Sequence, residues 1–118
     1  MDREKTMLPH KKITILGVDD ELSIRESLRG WLEQDGYEVG TALDGPTALA
    51  RIQEKHFGIM LLDVNMPLLD GITVLKRLKD LDPETAVVMM TAHGTIQDAL
   101  EAMKLGPYDY LLKPLYIE

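Results

Sequence analysis

The run Ile59-Met60-Leu61-Leu62-Asp63-Val64-Asn65-Met66-Pro67 decides how the chain is to be folded. From Ile59 to Val64 it is apolar at every position but one, and it does not alternate as a half-buried strand would. A continuous apolar strand needs cover on both faces, which is the condition of a parallel sheet sandwiched between helices. The exception, Asp63, stands near the carboxyl end, where such sheets place their chemistry.

Working outward, Ile13 to Val18 and Ala86 to Thr91 repeat the pattern, and Tyr37 to Ala42 and Tyr108 to Leu112 are two further short runs that read as strands. The segments between them carry helical spacing. Glu21 to Gln34 sets Ile24, Leu28, Trp31 and Leu32 on one face and is ended by Asp35-Gly36. Thr47 to Lys55 follows an Asp44-Gly45-Pro46 start signal; Ile72 to Leu81 is closed by Asp82-Pro83; Thr95 to Lys104 is closed by Gly106-Pro107. Strand and helix thus alternate through the chain. Right-handed crossovers then predict one α/β domain, a doubly wound parallel sheet with helices on both faces. Its boundaries are residues 13–118, preceded by a flexible segment over 1–12.

The strand ends gather the reactive side chains. The first run stops at Asp19-Asp20, the third at Asp63, the fourth at Thr91 (followed by Ala92 and His93), and the fifth at Lys113-Pro114. Any one strand-end aspartate is more often a helix cap than a reactive group. Several together are another matter, because neighbouring carboxylates repel unless protons or a cation neutralise them. Hard oxygen ligands with open positions suit Mg²⁺, which commonly binds through one or two carboxylates and a phosphate. Lys113 offers a compact cation and Thr91 a hydroxyl to phosphoryl oxygens. Asp63, at the end of a buried strand, is then the expected nucleophile. His10 and His56 read as solvated, without an acidic partner at ligand spacing, and Trp31 as packing.

Composition narrows the classes further. Without cysteine, thiolate metal sites and thiol catalysis are excluded. A net charge of −7, with no basic run beyond Lys11-Lys12, argues against direct contact with nucleic acid. No apolar stretch is long enough to span a bilayer, and a cytoplasmic location is expected. No glycine-rich phosphate loop is present, so a phosphoryl donor must bring its own reactive phosphate.

Asp19-Asp20, the L-L-D-V-N-M-P motif around Asp63, M-M-T-A-H-G around Thr91, and Y-D-Y-L-L-K-P ending at Pro114 resemble the receiver domain of bacterial two-component response regulators. The resemblance runs from about Ile13 to the end. It implies a flavodoxin-like sheet of order 2-1-3-4-5. It also implies a switch rather than an enzyme, one that catalyses only its own phosphorylation and dephosphorylation. Asp63 would accept phosphate from a sensor histidine kinase. Mg²⁺ would be bound by Asp20, Asp63 and the backbone carbonyl of Asn65, with Asp19 nearby through water. Thr91 and Lys113 would bind phosphoryl oxygens, and Tyr110 would turn inward as Thr91 is drawn towards the phosphate. Ala92 would leave access to Asp63, while Asn65 and His93 would tune the lifetime of the acyl phosphate. The ending resembles receivers of NtrC-type, ATPase-linked transcription activators, which leaves two readings open: a stand-alone receiver, or the input domain of a larger regulator with a C-terminal output domain.

The competing reading, a haloacid-dehalogenase-type phosphatase, needs a second aspartate two residues after the nucleophile, where Asn65 stands. Two further expectations concern the C-terminus. One is a cis Lys113-Pro114 bond. The other is that the fifth helix of such domains is missing, so that the fragment forms a homodimer through an uncovered face or loses stability.

Overall fold

The computed structural model describes residues 13–64, 66, 69–91 and 109–112. Strand β1 (Thr14–Val18) lies between β2 (Glu38–Ala42) and β3 (Ile59–Asp63). Beyond β3 comes β4 (Ala86–Thr91), then β5 (Asp109–Leu112), and every pairing is parallel. Three helices are described: α1 (Leu22–Gln34), α2 (Gly45–Glu54) and α3 (Gly71–Leu81). The α/β class is as expected from the alternation of elements, and the parallel order 2-1-3-4 is the one that the resemblance to receiver domains implies. The expected segment 1–12, the helix at Thr95 to Lys104, any fifth helix and the Lys113-Pro114 bond lie outside the described residues.

Two helices begin earlier than their apolar spacing suggested, and capping gives the reason. Asp44 accepts a hydrogen bond from the Thr47 backbone N–H at 2.8 Å, and Pro46 occupies the first turn. Proline's fixed φ suits that turn and its missing N–H costs nothing there, so α2 starts at Gly45 rather than Thr47. Asp70 caps α3 in the same way, accepting from the Thr73 N–H at 2.8 Å, and the helix starts at Gly71.

Removing such a cap typically costs about 1 kcal/mol. Asp44→Ala should therefore lower stability by about that amount at neutral pH, read from urea melts. Hydrogen bonds from the Thr47 side chain and then its backbone hold the Asp44 carboxyl below its ordinary value, against a weaker opposing effect of burial. A depressed folded-state value means the contribution is present above the unfolded-state value and is lost as pH falls through the folded one. The difference between Asp44→Ala and the parent should accordingly shrink when the melts are repeated in strong acid.

The core lies on the side of α2 and α3. Leu16, Val18, Met60, Leu62, Val87 and Met89 face Leu49, Ile52, Val74, Leu75 and Leu78, all buried. Each such side chain contributes roughly 1.5–3 kcal/mol by leaving water. On the other face α1 lies against β1 and β2, with Leu28 over Gly17. On the α2 and α3 side the described residues of β3 and β4 are buried. Ile59, Leu61, Ala86 and Val88, on the α1 side, are half-buried. The described helix on that side sits over β1 and β2 rather than over β3 and β4.

Candidate functional site

Parallel strands in register bring their carboxyl ends to one edge. Val18 pairs with Leu62 and with Ala42, and Asp63 pairs with Met90. The residues that follow β1 and end β3 are thereby neighbours. Carboxylate oxygens of Asp19, Asp20 and Asp63 lie within 4.8 Å of one another. Asp19 is fully buried, Asp63 is buried to 4% exposure, and Asp20 is open to solvent.

Each acid is held by backbone structure. The Asp19 N–H donates to the Ala42 carbonyl at 3.2 Å, and its Oδ1 accepts from the Glu21 N–H at 2.9 Å. Asp19 therefore also orders the turn into α1, the modest role that a strand-end aspartate usually has. Asp63 is fixed from both directions. Beyond it the Val64 N–H donates to Met90 at 2.8 Å, and the Val64 carbonyl accepts from the Gly71 N–H at 2.9 Å. A loop thus leaves β3 and returns to the start of α3 at the peptide next to Asp63.

Three hard oxygen donors within mutual reach, two of them buried, fit a divalent cation of the Mg²⁺ kind. Fixed like charges so close are costly unless a cation offsets them. The nearness of Asp19, Asp20 and Asp63 is the part of the expected site that the described side chains display. Thr91 ends β4, next to β3 in the sheet, and Tyr110 lies in β5, paired with Met89. Asn65, Ala92, His93 and Lys113 lie outside the described residues.

Comparison with known proteins decides the family. The model of the response regulator receiver domain matches residues 15–118. The chain belongs to the response regulator receiver domain family. As a receiver it is a phosphoacceptor signalling domain, and the haloacid-dehalogenase alternative finds no support. It is 45% identical over 108 residues to the transcriptional regulatory protein ZraR of Salmonella typhimurium, covering 88% of this chain and 24% of that protein. It is 36% identical to the regulatory protein AtoC of Escherichia coli, covering 88% of this chain and 23% of that one. The receiver thus spans about a quarter of the length of these curated relatives. Among solved structures, the receiver domain of NtrX from Brucella abortus superposes with a TM-score of 0.81 at 39% identity, covering 86% of this chain and 87% of that one. The Vibrio cholerae chemotaxis protein CheY4 gives 0.85 at 33%, covering 90% of each.

Two features of the receiver were not anticipated from its sequence. His56, expected to be solvated and without an acidic residue at ligand spacing, is exposed as expected, and its Nδ1 lies 2.7 Å from Asp82 Oδ2. Burial pushes the Asp82 carboxyl up, but hydrogen bonds from His56, Thr85 and the Glu84 N–H, with the His56 charge, hold it below its ordinary value. The pair joins the loop before β3 to the loop before β4, at the opposite end of the sheet from the acidic cluster. Arg25 was read only as part of a helix. Its Nη1 donates to the Asp19 carbonyl at 2.7 Å.

Among the described residues no helix is long and apolar enough to cross a membrane.

Proposed function

We propose that Asp63 is the phosphoacceptor of this receiver, and that it takes the phosphoryl group from the phosphohistidine of a sensor kinase with Mg²⁺ bound beside it. The observation that carries the reading is the approach of the Asp19, Asp20 and Asp63 carboxylates at one sheet edge. Asp20 and Asp63 would hold the cation with the Asn65 backbone carbonyl, and Asp19 would act through water. Bound there, Mg²⁺ supplies positive charge that offsets the carboxylates and the incoming phosphoryl oxygens.

The chain's own residues account for the rest. An Asp63 carboxylate oxygen forms the new bond to phosphorus as the phosphorus–nitrogen bond of the donor histidine breaks, and the electron pair leaves with the imidazole. Burial of Asp63 at a strand end holds that oxygen in place, so little motion is frozen out at the moment of transfer. Thr91 and Lys113 would donate to the transferred phosphoryl oxygens, and Tyr110 would follow Thr91 as the switch. Ala92 would keep the approach open, and Asn65 and His93 would set the lifetime of the acyl phosphate. The domain would span residues 13–118, act in the cytoplasm without touching nucleic acid itself, and catalyse only its own phosphorylation and dephosphorylation. The relative named as a transcriptional regulatory protein, ZraR, supports an input role, with the phosphorylated face passing its state to an output domain.

The test is exposure of the protein to a small phosphodonor such as acetyl phosphate with Mg²⁺, followed by intact-mass spectrometry. One added phosphoryl group, labile to hydroxylamine, is expected. Removing the divalent cation with EDTA should slow its appearance by at least about tenfold, the typical cost of losing charge stabilisation worth 1.4 kcal/mol or more. Labelling at the same rate in EDTA would remove the cation from the reaction.

A further inference from the structure

The acidic cluster depends on a turn that is tied down by a residue outside it. The peptide between Asp19 and Asp20 joins two of the three carboxylates. That peptide is planar, so the direction of the Asp19 carbonyl determines where the Asp20 N–H and Cα lie. The carbonyl accepts from Arg25 Nη1 at 2.7 Å, a charge-assisted bond at the short end of its range. The Asp19 N–H is held by Ala42 and the Asp19 side chain by the Glu21 N–H. The first of those bonds fixes Asp19 itself, and the second closes a turn across Asp20. Of these three contacts, the one to Arg25 is made by the carbonyl of the peptide that leads to Asp20, and it ties that peptide plane to α1.

The placement of Arg25 is otherwise unfavourable. It is the fourth residue of α1, in the helix's first turn, where the macrodipole disfavours a cation. Holding a long side chain half-buried also spends conformational freedom. A contact at the acidic end of the sheet offsets both.

We propose that Arg25 is a positioning residue of the phosphoryl-transfer site: by gripping the Asp19 carbonyl it orients the Asp19–Asp20 peptide so that both carboxylates converge with Asp63 on a divalent cation. This inference rests on the reading of the acidic cluster as a Mg²⁺ site. Two physical roles predict opposite results. A positioning role means that losing the guanidinium loosens the ligand set and weakens the cation's binding. A purely electrostatic role means that removing a positive charge beside the cluster strengthens it.

The experiment is calorimetric titration of MgCl₂ into the full chain, its Arg25→Ala variant and its Arg25→Lys variant at one ionic strength, with thermal melting of each. Loss of a group that orients metal ligands typically weakens binding by 10-fold or more, so Arg25→Ala should raise the Mg²⁺ Kd by about tenfold. Arg25→Lys keeps the charge and a donor but is one bond shorter, so its Kd should lie between those of Arg25→Ala and the parent. Binding by Arg25→Ala as tight as the parent's, or tighter, overturns the proposal. If Arg25→Ala does not fold, Arg25→Lys decides: weaker Mg²⁺ binding at an unchanged melting temperature supports positioning, and the parent's Kd overturns it. If the parent itself binds no Mg²⁺, the reading of the cluster fails, and that outcome is distinct from equal binding by parent and variants.

Discussion

Asp63→Asn should leave the protein folded, with its melting temperature within a few degrees of the parent's, yet unable to acquire a phosphoryl group from acetyl phosphate and Mg²⁺. The change is nearly isosteric at a buried strand end, so the packing around β3 is kept. What it removes is the anionic oxygen that would form the bond to phosphorus, since an amide oxygen is a poor nucleophile. It also relieves repulsion by taking one negative charge from a cluster whose oxygens lie within 4.8 Å. Stability at neutral pH should consequently hold or rise while labelling falls below detection. The check is intact-mass spectrometry beside a thermal melt. Undiminished labelling of Asp63→Asn would place the acceptor on another residue, with Asp19 and Asp20 the first to be substituted.

The parts of this site that could be read from the sequence are those that strand periodicity reports. An apolar run that stops at an acid shows where a strand ends, and parallel order then carries the ends of β1 and β3 to one edge. Asp19, Asp20 and Asp63 were therefore legible together, and so was the start signal at Asp44, because N-cap chemistry is local. The Arg25 bond to Asp19 was not. Arg25 falls where a solvated helix position would, and nothing in helical spacing reveals that a side chain bends back to a carbonyl six residues earlier. The His56–Asp82 pair was missed for a related reason. Its partners are 26 residues apart in loops whose approach depends on how β3 and β4 are set in the sheet.

Gly71→Ala should have the largest effect on stability of any glycine-to-alanine change among the described residues, and it should reach the reactive carboxylate. Gly71 begins α3, and its N–H donates to the Val64 carbonyl. A Cβ at Gly71 would meet the Asp63 carbonyl oxygen at 2.5 Å and the Val64 Cα at 2.7 Å. Both are backbone atoms of the strand end, so no flexible side chain can swing aside. The methyl must push α3 away from β3 or move the Asp63 peptide. The first opens the core beneath Val74 and Leu75, which are fully buried in the same helix. The second displaces the acceptor from Asp19 and Asp20. Overpacking of this kind costs about 1–3 kcal/mol, a large share of the roughly 5–15 kcal/mol that a domain of this size has in total. The expected results are a fall of that size in urea melts and, under conditions where Gly71→Ala is still folded, a slower appearance of the acyl phosphate. Gly30→Ala is the control, since a Cβ there meets nothing within 4 Å and it lies within α1. That variant should be as stable as the parent or slightly more so, as alanine is the better helix former by about 1 kcal/mol. Equal stability and labelling of Gly71→Ala and the parent would mean that the turn from β3 into α3 yields easily without moving Asp63.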